Sequence, residues 1–534
     1  MKRMLFIHKI FSKHQAKAKP LLFIVGFAVI GTAALILTKA ATPTASIEPE
    51  SGTIATGACA VSDAGASGSS AVKFGSCGGG AGLPAGVTLQ DIDGGQTYYE
   101  QWSNSFPSAR EDPTFFPIGT FNNYDISGKA TAYKSMGINT WVGLYNGVLS
   151  GSPNELTVAK NNGMYALGGP ESSAGALSSY GSTMAGYIYQ DEAENNTCAK
   201  IDVAWLRAYC TPSGSSKPST ASFITMTNQM HSFDPSRPVY NGFTNGFAFD
   251  WFLNGNARQL AEGSDIIGYD VYPLVDRRST FGGQMTTGKP WGTYETVALS
   301  RKHADNDISQ EHHEDVDANQ DGVKDNFPSD DNKPNVPTDN KPIWPDIETS
   351  QVDTFNNTCY RPSGADLKAL VWNAIIAGAR GVTYFDANFA SNCSSPTMGV
   401  GVLLSSSFSD IRTATTEVNA QVKALAPVIN APFAVPTKDS QDQPTSNGYE
   451  THTGWDNTNK KNNLVNSMVK YYNNQFYIFA APKASSLPSI TFTIAGSPSG
   501  VITVINENRT IPLSNGSFTD TFANDNTIHI YRVN

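Results

Sequence analysis

MAGYIYQDE (184–192), SDIIGYDVYP (264–273), KPIWPDIET (341–349) and RGVTYFDAN (380–388) share one pattern: a short β-branched or aromatic run that ends in acids or amides. Four similar runs precede or separate them: TFFPIGTF (114–121), GINTWVGLY (137–145), GMYALGG (163–169) and SRPVYNGF (236–243). Helical patterns lie between the runs, among them ASFITMTNQMHSF (221–233), GADLKALVWNAIIAGA (364–379) and DIRTATTEVNAQVKALAPVI (410–429). Strands alternating with helices predict a parallel sheet with helical cover. Eight such units in about 350 residues predict a closed (β/α)8 TIM barrel of the α/β class. A doubly wound open sheet would want a Gly-rich phosphate turn after its first strand, and GTFNNYD (119–125) is not one.

The barrel is expected over residues 83–430. It is interrupted at 305–340 by DNDISQEHHEDVDANQDGVKDNFPSDDNKPNVPTDN, an acidic insertion with no apolar period. Residues 431–449 read as a linker. Residues 450–534 alternate apolar and polar between tight Asn/Gly turns, as in VKYYNNQFYIFAA and TIHIYRV, and predict a small antiparallel β-sandwich. Residues 41–82 are rich in Gly, Ser and Ala and hold too few large apolar residues for a core. They read as a stalk. SIEPESGTIATGACAVSDAGASGSSAVKFG (46–75) also resembles the opening strands of β-sandwich carbohydrate-binding modules.

The first 20 residues carry Lys2, Arg3, Lys9, Lys13, Lys17 and Lys19 and no acid. LLFIVGFAVIGTAALILT (21–38) follows, uncharged and long enough to approach a ~30 Å hydrocarbon core. Residues 21–40 are thus a membrane anchor or a cleaved signal sequence. Either reading leaves the bulk of the chain outside the cell, anchored at the surface or secreted. All six cysteines lie beyond this segment. Their even number and spacing suggest disulfides between neighbours: Cys59 with Cys77, Cys198 with Cys210, and Cys359 with Cys393. The net charge of −10 becomes −16 once the basic N-terminal segment is set aside, which argues against a nucleic-acid partner. At 534 residues the chain suits two or three domains, and 40% hydrophobic residues supply a core. Charged residues are 16%, below the roughly 25% of ordinary soluble domains, which fits a secreted, loop-rich chain. A monomer is expected.

In such a barrel, functional groups sit where strands end. The fourth run ends in Asp191 and Glu192, with Glu194 beyond. The sixth ends near Asp270 and Tyr272, the seventh in Asp346 and Glu348, and the eighth in Asp386 and Asn388. Crowded carboxylates raise one another's pKa. Two carboxyls of opposed pKa are what glycosidic hydrolysis requires. GYIYQDEAEN (186–195) and KPIWPDIETSQ (341–351) resemble the fourth and seventh strands of clan A (β/α)8 glycoside hydrolases. SDIIGYDVYP resembles their sixth strand. NAIIAGARGVTYFDAN (373–388) resembles their seventh helix and eighth strand, and the C-terminal strands resemble their closing β-sandwich.

That resemblance implies an extracellular retaining hydrolase of poly- or oligosaccharides, with Glu192 as acid/base and Glu348 as nucleophile, and no cofactor for catalysis. Asp191 stands where the family usually has Asn, and Ala193 follows Glu192 where it often has Pro, so Glu194 is a second candidate for the acid/base. Asp191, Asp270 and Asn388 are expected to contact substrate. Rim aromatics that could stack on sugar faces are Trp141, Tyr145, Tyr189, Tyr272, Trp344 and Phe385, with Trp141, Tyr272 and Trp344 expected at the site.

Inside the insertion, DVDANQDGVKD places Asp315, Asp317, Asn319, Asp321 and Asp325 at alternating positions around Gly322. This pattern resembles the Ca²⁺ loops of dockerins and thrombospondin type 3 repeats. A structural Ca²⁺ and a merely solvated acidic loop are the two readings. A non-catalytic cell-surface carbohydrate-binding or adhesive protein on the same barrel is the alternative function. No G-x-S-x-G elbow and no Walker or Rossmann loop occurs, which disfavours serine hydrolysis and nucleotide chemistry.

Overall fold

The structure is a computed structural model. It describes residues 58–62, 70–74, 87–90, 92, 94–121, 126–144, 149, 154–170, 174–188, 190–201, 203–249, 257–274, 288–304, 341–353, 359–389, 396–397, 401–436, 451–452, 465–485, 487, 489–494 and 499–533. The apolar segment 21–38, the acidic insertion 305–340 with its Asp315–Asp325 loop, Cys77, Cys393, Tyr145 and Tyr189 lie outside the described residues. No described helix is long and apolar enough to cross a membrane.

All eight runs form strands. They are β1 (Ile118–Phe121), β2 (Thr140–Leu144), β3 (Tyr165–Gly168), β4 (Met184–Tyr187), β5 (Tyr240–Thr244), β6 (Ile266–Asp270), β7 (Ile343–Glu348) and β8 (Val382–Phe385). Every neighbouring pair is parallel, in the order β4-β3-β2-β1-β8-β7-β6-β5. Parallel bridges Tyr187–Val239 and Asp191–Gly242 join β4 to β5 and close the barrel. The crossovers carry α1 (Ala130–Ser135), α2 (Glu155–Asn161), α3 (Thr220–Phe233), α4 (Ala257–Glu262), α5 (Trp291–Ala304), α6 (Gly364–Ile376) and α7 (Ser409–Ile429). A 3₁₀ turn, Ala174–Leu177, stands in the crossover after β3.

Strand alternation fills the barrel with Phe121, Val142, Leu167, Ala185, Tyr240, Ile266 and Trp344. The segment before β1 plugs the end where strands begin. Phe106 packs edge-on against Trp344 at 5.5 Å, and the Tyr98 hydroxyl donates to the Asp265 carbonyl at 2.6 Å. Gly268 on β6 is dictated by Tyr240, because a Cβ there would lie 1.9 Å from the tyrosine hydroxyl.

The antiparallel domain contains β9 (Phe433–Pro436), β10 (Val465–Tyr472), β11 (Gln475–Pro482), β12 (Ile490–Thr493), β13 (Gly500–Val504), β14 (Arg509–Leu513), β15 (Ser517–Asp520) and β16 (His529–Val533). Its larger sheet runs β14-β13-β16-β11-β10-β9 and ends on a strand from before the barrel, Val87–Gln90. The sheet therefore begins earlier than residue 450. It takes in part of the expected linker and a piece of the expected barrel segment. Asn473 and Asn474, both at positive φ (50° and 61°), make the two-residue turn between β10 and β11. The barrel's buried core continues into this domain through Met468, Tyr477, Phe479, Ala481 and Ile530.

Cys198 and Cys210 form the expected disulfide. Residues 58–62 and 70–74 form an antiparallel hairpin in a separate N-terminal unit.

Candidate active site

On β7, Trp344, Asp346 and Glu348 share one face, and Trp344 belongs to the barrel interior. Asp346 and Glu348 therefore point inward above it, toward the end where strands finish. Trp344 pairs with Gly268, so the β6 neighbour of Asp346 is Asp270. Asp270 in turn pairs with Thr244 on β5, and Gly242 bridges to Asp191 beyond β4. Four consecutive positions of the barrel thus bring Asp191, Glu192, Asp270, Asp346 and Glu348 to one mouth.

The turn that carries Glu192 is tightly specified. Glu192 sits at φ 45°, a left-handed conformation that a non-glycine residue adopts at a cost on the order of 1 kcal/mol. Its N–H donates to the Gly242 carbonyl at 3.1 Å, and its carbonyl accepts from the Asn195 and Asn196 N–H groups at 2.9 and 3.0 Å. The Asn196 amide donates to the carbonyls of Asp191 and Glu192, and the Asn195 amide to Glu192 Oε2 at 3.3 Å. Glu348 is 1% exposed, and its Oε1 accepts from the Leu274 N–H at 2.7 Å. Ser350 Oγ donates to the Phe385 carbonyl at 3.1 Å and to that of Ala387, tying the end of β7 to β8.

Electrostatics mark the same place. Burial pushes the Asp270 carboxyl well above the carboxylate range, and Glu192, Asp191 and Asp346 push it further. Burial, then Asp191, raises Asp346 well above its ordinary value. The Tyr272 and Tyr240 hydroxyls are raised by burial and then by these carboxylates. Tyr272 stacks on Phe385 at 5.2 Å. Glu194 is pushed up to about 7, chiefly by burial. Its Oε1 accepts from the Thr244 N–H at 2.5 Å, while Oε2 is buried without a hydrogen-bond partner among the described residues.

Two expected sugar contacts are corrected. Trp141 is 0% exposed on the outer face of β2, edge-on to Tyr133 of α1 at 5.3 Å. Its neighbour Val142 faces the interior, so alternation turns Trp141 into the helix layer. Trp344 does face inward, but it is 0% exposed and lies one inward step below Asp346, where it is floor and not rim. Asn388 lies beyond β8 in a short strand paired with Pro396–Thr397, and its side chain is not described. Asp386 turns out of the site, where its carboxylate accepts from the Leu403 N–H at 2.7 Å and from the Tyr133 hydroxyl. Burial raises it to about 6. Asp346 and Tyr240 are the members that sequence reasoning gave no role. The signal for Asp346 was its even spacing from Glu348 on one strand. Among the described residues no group of three His, Cys, Asp or Glu side chains is arranged to hold a metal.

No protein-family model and no curated protein matches the chain. Solved structures do. A GH30 endoxylanase from Clostridium papyrosolvens C71 is 12% identical with TM-score 0.36, covering 79% of this chain and 96% of its own. An alpha-L-arabinofuranosidase from Thermotoga maritima is 10% identical with TM-score 0.39, covering 79% and 96%. A family 39 glycoside hydrolase from Bacteroides cellulosilyticus WH2 is 10% identical with TM-score 0.40, covering 79% and 82%. Likeness at these scores carries no weight for the chemistry, which rests on the residues above.

Proposed function

We propose that this chain is an extracellular retaining glycoside hydrolase acting on a poly- or oligosaccharide, with Glu348 as nucleophile and Glu192 as acid/base. The observation that carries the reading is the convergence of strand-end carboxyls following β4 and on β7 at one barrel mouth. Double displacement needs a fixed carboxylate and a separate proton donor about 5–5.5 Å apart. The Leu274 N–H holds the Glu348 carboxyl in place. Glu192 donates to the leaving oxygen and later takes a proton from water. Tyr272, stacked on Phe385, offers a flat wall for a sugar ring.

An oxidising location fits the Cys198–Cys210 disulfide and the basic-then-apolar N-terminal sequence. The Asp315–Asp325 loop is proposed as a structural Ca²⁺ site, and Ca²⁺ should then raise the melting temperature of the chain.

The test is release of reducing sugar from a panel of β-linked polysaccharides by the full chain, beside Glu192→Gln and Glu348→Gln. Loss in both variants supports the pair. Undiminished hydrolysis in a folded Glu348→Gln protein refutes the nucleophile.

A further inference from the structure

Two carboxyls suffice for the hydrolysis proposed above, yet this mouth holds more. Asp191, Asp270 and Asp346 stand at the ends of β4, β6 and β7, within four consecutive strands of the wall and in interaction range of one another and of Glu192. Asp346 is 6% exposed, and its Oδ1 is buried without a hydrogen-bond partner among the described residues. Asp270 Oδ1 is likewise buried without one. No ion pair joins Asp270 or Asp346 to a lysine or arginine among the described residues. The described salt bridges, such as Arg237–Asp234, Lys368–Glu417 and Arg509–Asp520, lie elsewhere. Two aspartates elsewhere in the chain, both largely buried, have their acceptors filled. Asp386 takes a backbone N–H and a tyrosine hydroxyl, and Asp234 takes Ser236, Tyr187 and Arg237.

Beside a neutral sugar these crowded, water-poor carboxyls can ionise only at a cost, because like charges and burial both oppose it. A ligand bearing a cation removes the repulsion and supplies the N–H donors that the open carboxylate oxygens lack.

We infer that the substrate carries a protonated amine: a saccharide of free amino sugars whose ammonium group lies against Asp191, Asp270 and Asp346. The inference rests on the glycosidase reading for its reaction and on the surplus carboxylates for its specificity. No new bond chemistry is involved, because the ammonium only binds.

The experiment compares hydrolysis and binding of three soluble oligosaccharides of equal length by the full chain: glucosamine, N-acetylglucosamine and glucose oligomers. Asp346→Asn and Asp270→Asn are run beside wild type, with circular dichroism to confirm folding. The expected result is a kcat/KM for the glucosamine oligomer about tenfold or more above the others, a preference that shrinks about tenfold through KM in either variant. Cleavage of the glucose or N-acetyl oligomers in preference to the amine overturns the inference and leaves the glycosidase reading standing. Selective binding of the amine, weakened in Asp346→Asn, with no cleavage of any oligomer supports the inference and overturns the hydrolase reading. Neither cleavage nor binding overturns both. A divalent-ion stoichiometry that falls by one in Asp346→Asn makes the cluster a metal site and overturns the inference.

Discussion

The roles of single side chains follow from which face of a strand they occupy. Glu348 and Asp346 share the inward face of β7 with Trp344, whereas Trp141 takes the outward face of β2. Trp141→Ala should therefore act on stability and not on substrate affinity. A loss of about 3–5 kcal/mol in urea unfolding is expected, with KM unchanged in whatever protein still folds. Glu348→Gln keeps an oxygen to accept from the Leu274 N–H but removes the nucleophile. Its kcat should fall about 10²–10⁴-fold while unfolding stays near wild type. Glu194 yields a prediction about pH. Its carboxyl is raised from an ordinary 4.5 to about 7, mainly by burial. Between those two values the folded chain holds a proton that the unfolded chain has lost. Its contribution is thus fully present below about pH 4.5, falls as pH rises, and is flat above about pH 7. Glu194→Gln cannot titrate, so wild type should lose about 3 kcal/mol relative to it across that window. Parallel denaturation curves at pH 4.5, 6 and 7.5 check this, and equal pH slopes in the two proteins would contradict it.

At the scale of elements, α6 begins with a reciprocal cap. Ser363 Oγ accepts from the Asp366 N–H at 3.2 Å, and the Asp366 carboxylate accepts from the Ser363 N–H at 2.8 Å. Asp366 Oδ1 also accepts from the Asn526 amide at 2.8 Å, so one cap serves both the helix and the second domain. Ser363→Ala should cost about 1 kcal/mol in thermal or urea unfolding. All eight strands and the three quoted helices were legible in the sequence, because buried β-branched runs and apolar periods of 3.6 are local signals. Their exposed aromatic content was less legible. Alternation is readable within a run, but which parity faces inward depends on neighbouring strands, so Trp141 and Trp344 read as rim residues while the fold buries both. The β9 strand and Val87–Gln90 were missed for a related reason. Each is four residues long and gains its identity only by pairing with the other, across more than 300 intervening residues. Of the site, Asp191, Glu192, Asp270, Tyr272 and Glu348 were legible as strand-end residues, whereas the inward position of Asp346 needed the register of β6 on β7.

At the scale of the whole molecule, barrel and antiparallel domain share one core. Trp372 of α6 packs against Phe479 of β11 at 5.8 Å, and Lys470 of β10 reaches across the Phe433 ring to donate to the Ala431 carbonyl at 3.0 Å. Lys289, before α5, pairs with Asp525 at 2.5 Å. A chain ending at residue 430 would expose the apolar face that Met468, Phe479 and Ile530 cover. It should be recovered as aggregate, and a soluble, cooperatively unfolding fragment would contradict the shared core.

The most direct test of the central claim, that Glu192 and Glu348 work as a pair across one mouth, is a side-by-side rate measurement. Wild type, Glu192→Gln and Glu348→Gln would be assayed for reducing-sugar release on the best substrate of the panel, with folding verified in each. The account predicts robust wild-type hydrolysis and a fall of about 10²–10⁴-fold in both variants. Hydrolysis that survives at wild-type rate in either folded variant would contradict it.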